Sequence, residues 1–498
     1  MKYIIFNKLI GAMKCIANDI IFSARKRTVA VSVIGILLFF LCSCKKIIEV
    51  RSPYTSINEE NIYNDDAMAI SVLTGIYTQM GLFGSAMTGN GGISFLTALS
   101  SDELTLFKDV SDARYKAYYL NSLSADDNYG TDLWPTLYGY IYTCNDAIEG
   151  LTKSETLTKS IKEQLLGEAK FVRAFCYFYL VNLYGDIPLL TSTDYKSNAL
   201  VSRSPQKDVY EQIIKDLNEA KNLLKEGYLG GNLKNSDERT RPNKWAATAL
   251  LARVYLYDRE YIKAEIEATE VINNTTLYKI DSLNKVFLKN SQEAIWQLQP
   301  VNSGRNTEDA FYFILSESGP TSSTAGQPVY LNDHLIKAFE KDDRRFTSWV
   351  DSVTVLGETY YYPFKYKNAN PNSAVTEYLM VLRLSEQYLI RAESRAEQNN
   401  VIGAQEDLDA IRSRAGLTGT LANDKSSLLD AIMNERRVEL FTEWGHRWLD
   451  LKRTGKIDII MRPAATAKGG TWDPIQALYP IPISDISRNP NLDQNPGY

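Results

Sequence analysis

Histidine is almost missing from this chain: His334 and His446 are the only two in 498 residues. Zinc sites and histidine-based catalytic triads draw on imidazoles, so both lack raw material. Cysteine is scarce too, and beyond Cys44 only Cys144 and Cys176 remain. That is too few for a disulfide framework; one bridge and two buried thiols both stay open. A positive excess is also absent. Six basic residues and one acidic residue lie in the first 43 positions, leaving 49 basic against 59 acidic from Cys44 onward, a net charge near −10. Mildly acidic, evenly mixed charge argues against nucleic acid as a partner. The apolar run Val29–Leu41 has 13 residues, short of the ~20 that a bilayer span needs.

That run has the length of a signal-peptide apolar region, and Lys2, Lys8, Lys14, Arg25, Lys26 and Arg27 make the stretch before it basic. It closes on Leu41-Cys42-Ser43-Cys44. A bacterial lipobox is similar, Leu-x-small-Cys, with Cys44 as the acylated residue. Cys42 fits poorly, because bulky Leu41 precedes it where a small residue is wanted. An uncleaved anchor and a plain signal with stray cysteines are the alternatives. Stable membrane anchoring needs two or more acyl chains, which the bacterial lipoprotein pattern supplies. The expected organisation is a signal peptide over 1–43, a lipidated leash over 44–58 and one helical body over 59–498. Translation starting at Met1 or at Met13 would give the same mature chain.

Helical periodicity dominates that body. A stretch opening at Asn58 is expected to run to about Met80. In 160–184, Leu165, Ala169, Val172, Cys176, Tyr179 and Leu183 form one helical face, and Phe171, Phe175 and Phe178 a second. Residues 205–226 form another helix, with Pro205 in its first turn. Two helix pairs follow, 243–257 with 260–273 and 382–398 with 402–415, each apposing alanines that allow close approach. A further long helix is expected over 425–444. The texture is that of degenerate tetratricopeptide-type repeats. The segments 84–130 and 275–377 differ: they are loop-rich, with short strands at Glu293–Pro300 and Tyr360–Pro363. A helical scaffold presenting long loops is a common layout for a binding site.

One constellation suggests chemistry. Glu435, Glu439 and Glu443 share a helix face, and Glu443-Trp-Gly-His446 spells Glu-x-x-His. Di-iron bundles use two such motifs plus two more glutamates, and this chain has one. No metal and no cofactor are expected. Pairing of Glu439, Glu443 and Asp450 with Arg436, Arg437, Arg447, Lys452 and Arg453 is the expected role. Asp102-Glu103 and Asp126-Asp127 are carboxylate pairs, but adjacent residues point apart and are not placed for acid–base catalysis; as loop acids they are expected to accept hydrogen bonds from ligand hydroxyls. The chain reads as a non-enzyme.

An ordered series of blocks resembles the SusD/RagB family of outer-membrane nutrient-binding lipoproteins. It runs from Ser43-Cys44-Lys-Lys through Asp102-Glu103, Tyr142-Thr-Cys-Asn145, GEAKFVRAFCYFYLVNLYGDIPLL (167–190) and TRPNKWAATALLARVYLY (240–257). LRLSEQYLIRAESRAEQ (382–398), AIRSRAGL (410–417), ERRVELFTEWGHRWLDLKRTG (435–455), LYPIP (478–482) and QNPGY (494–498) complete it. The resemblance implies a mainly α fold, a single domain with about four tetratricopeptide-like helix pairs and a loop-rich lobe. It implies a lipid-anchored protein of the outer membrane, facing the cell surface, that hands a glycan to a SusC-like TonB-dependent transporter; a peptide ligand, as in the RagB branch, and a purely protein-binding scaffold are the alternatives. The segments 84–130 and 300–376 depart from the pattern and are expected to carry ligand choice. Their aromatics, Tyr115, Tyr118, Tyr119, Phe311 and Tyr312, are the candidate ligand contacts, since a ring offers an apolar face to a sugar while its neighbours bond the rim.

Overall fold

The computed structural model describes residues 62–82 and 84–498. The signal-peptide and leash readings, Cys44, and the helix start expected at Asn58 lie outside the described residues.

Helix α1 (Asp66–Gly81) begins where the Asp65 carboxylate accepts the Met68 N–H at 2.9 Å, the bond that satisfies one of a helix's orphan donors. Helix α2 (Ile93–Ser100) is buried along its whole length. Strand β1 (Leu104–Leu106) and helix α3 (Ala113–Leu120) follow. Helix α4 (Leu133–Lys153) leads into α5 (Lys159–Tyr184), the helix expected at 160–184. Both of its apolar faces are buried, so it forms the centre of the core. Helix α6 (Gln206–Leu223) starts after Pro205. Helices α7 (Lys244–Tyr257) and α8 (Tyr261–Asn273) make the first expected pair, with Ala249, Ala252, Ala264 and Ala268 fully buried.

The loop-rich insert carries β2 (Ala294–Leu298), the short helix α9 (Glu308–Phe313), β3 (Val329–Leu331), a hairpin of β4 (Val350–Val355) and β5 (Glu358–Pro363), and β6 (Leu379–Arg383). β1 pairs antiparallel with β3, and β2 with β6. Leu356 and Gly357 turn the hairpin at φ +51° and +87°, the left-handed pair that a two-residue hairpin loop requires. β2 is buried at all five positions, where alternation was expected; it lies between helices and β6, so both its faces are covered.

Helices α10 (Leu384–Glu397) and α11 (Val401–Arg414) make the second pair, around a separate apolar cluster that includes Leu389, Ala392, Ala404, Leu408 and Ile411. Helices α12 (Lys425–Glu439), α13 (His446–Arg453) and α14 (Ile457–Ala467) close the body. From α4 to α8 each helix packs on the next, α8 packs on α10, and α10 packs on α11 and α12. The fold is mainly helical with repeat-like helix pairs.

The helix expected over 425–444 stops at Glu439. Thr442, Trp444 and Gly445 take positive φ, and α13 starts in a new direction. The break is held by side chains from elsewhere. The Lys365 ammonium donates to the Glu439 and Phe441 carbonyls at 2.8 and 2.9 Å, and Ser94 Oγ accepts the Trp444 N–H at 2.8 Å.

The glutamate row of α12 is an ion-pair lattice. Glu435 meets Arg345 at 2.6 Å; Glu439 meets Arg345, Arg383 and Arg414 at 3.0, 2.6 and 2.5 Å; Glu443 meets Arg383 at 2.8 Å and also Lys365. Of the expected local pairings, those of Asp450 with Arg436 and Arg453 form, whereas Glu439 and Glu443 take arginines from elsewhere in the chain. Arg437 and Arg447 bind Asp102, at 2.6 and 2.7 Å, and Arg436 and Arg453 bind Asp450 at 2.7 Å. Among the described residues Lys452 donates to the Asn182 carbonyl and meets no carboxylate. Burial raises the Glu439 carboxyl, but Arg414, Arg383 and Arg345 outweigh it and hold the group well below its ordinary value.

Candidate ligand-binding site

Strand alternation builds the site. In β1 and β3 the residues Leu104, Leu106, Val329 and Leu331 point inward and are buried. Thr105 and Tyr330 are directly paired and share the other face, and Phe107 lies two residues along from Thr105. Thr105, Phe107 and Tyr330 are each half-buried. The β4–β5 hairpin packs against β3 and adds Tyr360. The Tyr360 ring stands edge-on to Phe107 at 6.2 Å and to Tyr330 at 5.0 Å, with interplanar angles of 80° and 77°. Such T-shaped contacts fix ring orientation. Tyr119, at the C-terminal end of α3, completes the group beside Tyr330 and Thr105. Four aromatic rings thus form one half-exposed platform drawn from three separate stretches of chain.

Polar groups fix the platform from below and at its rim. The Lys468 ammonium donates to the carbonyls of Leu99, Ser100 and Ser101 at 2.7, 3.2 and 2.5 Å, at the C-terminus of α2. It lies 5.0 Å from the centre of the Tyr119 ring. This places a cation where a helix presents unpaired carbonyls. Burial pushes this lysine down to about 7. Asn332 Nδ2 donates to Thr105 Oγ1 at 3.0 Å, and the Tyr360 hydroxyl donates to Glu358 Oε2 at 2.5 Å. That bond pushes the Tyr360 phenol up to about 12, and burial does the same to Tyr119.

The five aromatics singled out in the sequence separate. Tyr119 is in the platform. Phe311 is half-exposed elsewhere on the lobe, with the Arg305 guanidinium 3.8 Å above its ring. Tyr115 is 1% exposed; its hydroxyl donates to the Asn90 carbonyl and its ring leans on Phe95. Tyr118 is fully buried, bonded to Asp132 at 2.7 Å and edge-on to Tyr479. Tyr312 is 2% exposed, against Gly89 and Phe311. Tyr115, Tyr118 and Tyr312 therefore present no face to a ligand. On α3, positions 115 and 118 are three apart and turn into the core, while 119 lies at the edge of that face. Phe107, Tyr330 and Tyr360 were missed. The alternation in Leu104-Thr-Leu-Phe107 and Val329-Tyr-Leu331 is the signal that points to them.

Asp102 and Glu103 are not loop acids exposed to a ligand. Both are buried beneath β1. Burial opposes ionisation of Asp102, yet Arg447 and Arg437 hold it well below the usual carboxylate range. Among the described residues the Glu103 carboxyl accepts the Thr442 N–H, at 3.3 Å; burial, with Asp102 alongside, pushes it up to about 8. Asp126 and Asp127 are exposed. Cys144 and Cys176 are buried free thiols.

These features define a class of protein: a scaffold of repeat-like helix pairs carrying a solvent-facing aromatic platform on an irregular lobe. Residues 81–256 match a SusD-like family model described as "Starch-binding associating with outer membrane", and residues 344–498 match the SusD/RagB model described as "SusD family". SusD-like protein P2 of Formosa agariphila is 27% identical, the alignment spanning 93% of this chain and 98% of that one. A SusD superfamily structure from Parabacteroides distasonis superposes with a TM-score of 0.73 at 25% identity, over 86% of this chain and 98% of the other. A laminarin-binding SusD-like protein does so with a TM-score of 0.69 at 25% identity, over 86% and 99%. The chain belongs to the SusD/RagB family.

Proposed function

We propose that this protein is a lipoprotein of the outer-membrane surface that captures an oligosaccharide on the Phe107–Tyr119–Tyr330–Tyr360 platform and delivers it to a SusC-like TonB-dependent transporter. It acts by binding, without catalysing a reaction. The observation that carries the reading is the platform itself. Rings held half-exposed by T-shaped packing, with hydroxyl and amide groups at their edges, suit the apolar face and polar rim of a sugar. The names of its relatives agree, since one matched family model is described as starch-binding and one structural relative as laminarin-binding. Cys44 is the proposed lipid anchor, from the sequence reading.

Two experiments test this. Calorimetry with a panel of oligosaccharides on the detergent-solubilised full chain should find a ligand, and Tyr330→Ala or Tyr360→Ala should weaken its binding. Unchanged binding in both variants would remove the platform from the site. Cys44→Ala should release the protein from membranes; retention through a carbonate wash would refute the anchor.

A further inference from the structure

One buried charge beneath the platform has no ion pair among the described residues. Lys468 is 8% exposed, and Asp102, the acid that acts on it, is taken by Arg437 and Arg447 at 2.6 and 2.7 Å. An ammonium kept in the interior without a counter-ion is costly, so the contacts it makes in exchange define its role. Its side chain stands on a rigid corner. α14 ends with Gly469 at φ +85°, where Gly469 N–H donates to the Thr466 carbonyl and Gly470 N–H to the Ala465 carbonyl, a Schellman closure. From that corner the ammonium bonds the Leu99, Ser100 and Ser101 carbonyls, which end α2 three residues before β1 begins at Leu104.

Two further contacts tie the same corner to the end of α3. The ammonium lies 5.0 Å from the centre of the Tyr119 ring. Gly470 sits so close to the Leu120 carbonyl that a Cβ there would stand 2.6 Å from its oxygen. Asn121 closes the triangle, its Nδ2 donating to the Ser100 carbonyl at 2.9 Å. The corner therefore sets how far the root of β1 stands from the end of α3. β1 carries Thr105 and leads into Phe107, while α3 ends on Tyr119 and Leu120. A shift of that root would also pass to β3, because the Glu103 carbonyl accepts the Asn332 N–H at 2.8 Å and Asn332 Nδ2 bonds Thr105 at 3.0 Å.

Resting on the saccharide-capture reading, we infer that Lys468 is a positioning residue for ligand capture: it sets the spacing of β1 against α3, and so brings Phe107 and Tyr119 to one saccharide chain without touching it. Side chains that meet a ligand hold their geometry only as well as the groups beneath them. The charge matters as much as the shape. A protonated amine offers three N–H donors, one for each carbonyl, and attracts the Tyr119 ring; a neutral amine offers two and loses the attraction. Burial pushes Lys468 down to about 7, so this loss falls within reach of experiment. Among the groups around it, Asp102 is held well below the usual carboxylate range, Arg437 and Arg447 stay charged, and burial lifts the Tyr119 phenol to about 12. Glu103, pushed up to about 8, titrates in the same window and needs its own control.

The test is calorimetry on the detergent-solubilised full chain with laminarin- and starch-derived oligosaccharides or, should neither bind, the tightest-binding member of a broad glycan panel. In the unmodified protein, affinity should fall as pH rises from ~6 to ~8.5, and binding should take up protons within that window, because the ligand favours the protonated lysine. Lys468→Met keeps the stem and removes the three bonds; it should weaken binding about tenfold or more and abolish the pH dependence. Glu103→Gln should keep both the affinity at low pH and its slope. Gly470→Ala should weaken binding while the slope persists. Unchanged affinity in Lys468→Met, a slope that survives in it, or a slope that Glu103→Gln removes would each overturn the positioning role and leave saccharide capture intact. If Lys468→Met does not fold, a flat pH profile in the unmodified protein or unchanged affinity in Gly470→Ala overturns it. Binding of no glycan across the panel would instead overturn the capture reading beneath it.

Discussion

The ion-pair lattice around α12 and the aromatic platform around β1, β3 and the hairpin differ in what they leave unsatisfied. In the lattice every charge is buried and matched: Glu439 alone meets three guanidiniums, and each of those has another carboxylate besides. On the platform the side chains are only half covered. The two regions thus divide the work of the molecule. Arginines that each meet two or more carboxylates fix how helices meet, because a misplaced helix would strand a charge in a low-dielectric interior. Half-buried rings retain free surface for another molecule. A residue's chemical type does not reveal which task it performs: the glutamates that spell part of a metal motif are ion-paired framework, as expected, and three of the five aromatics expected at the ligand are framework too.

The largest effect should come from breaking the lattice. Glu439→Ala leaves Arg345, Arg383 and Arg414 short of a partner and is expected to cost about 3–5 kcal/mol of stability, the usual result of orphaning a buried charge. Denaturant titration measures it. A loss below about 1 kcal/mol would show that water or neighbouring carboxylates compensate, and the contrast between the two regions would fail.

Acidity at the seam between the regions comes next. Glu103 contacts the framework through Thr442 N–H, and its carbonyl accepts the Asn332 N–H of the lobe at 2.8 Å. Asp309 accepts the Gly89 N–H at 3.1 Å. Burial pushes Glu103 up to about 8 and Asp309 up to about 7, against roughly 4 for either in an unfolded chain. The folded state therefore holds protons that the unfolded state has lost, and their stabilisation is full below pH ~4 and lost as pH rises towards 7–8. Melting temperature should fall across that window, and Glu103→Gln with Asp309→Asn should flatten the fall. A flat profile in the unmodified protein would mean that these carboxyls are solvated.

Platform substitutions should invert the lattice's pattern. Tyr360→Ala and Tyr330→Ala are expected to weaken saccharide binding by about 1–3 kcal/mol, typical of removing a stacked or anchoring aromatic, with little change in melting temperature. Tyr118→Phe, which removes a buried hydroxyl from Asp132, should lower stability by about 1 kcal/mol and leave binding alone. Calorimetry beside thermal melts separates the two outcomes.

How much of this was legible in the sequence follows from distance along the chain. Helices such as α5 and the pairs α7–α8 and α10–α11 repeat their apolar residues within a few positions, so periodicity alone places them to within a residue or two. The α12 row was visible, but its partners were not. Arg345 lies 94 residues from Glu439 and Arg383 lies 56, and no local pattern encodes such a pairing. The platform was hidden for a related reason. β1 and β3 have three residues each, too few for alternation to stand out, and Thr105 and Asn332 meet across 227 positions. Tyr119 was found only because it shares a cluster with Tyr115 and Tyr118.

The smallest effect concerns backbone strain in the framework, and its sign is opposite. α7 ends with Arg259 at φ +61°, where Arg259 N–H donates to the Leu256 carbonyl and Glu260 N–H to the Tyr255 carbonyl. α10 ends in the same Schellman arrangement, with Asn399 at φ +62° bonded to Ala396, and Asn400 bonded to Arg395. Asparagine tolerates this region, whereas an arginine there carries about 1–2 kcal/mol of steric cost. The Arg259 side chain is exposed and has no ion-pair partner among the described residues, so nothing on the framework offsets that cost. Arg259→Gly removes the clash and adds roughly 0.5–1 kcal/mol of unfolded-state entropy, for a net gain below about 1 kcal/mol. Asn399→Gly should be close to neutral, and neither change should alter saccharide binding. If Arg259→Gly destabilised the protein instead, the entropy cost of glycine would exceed the relief of backbone strain, and the assigned cost of the left-handed arginine would be too high.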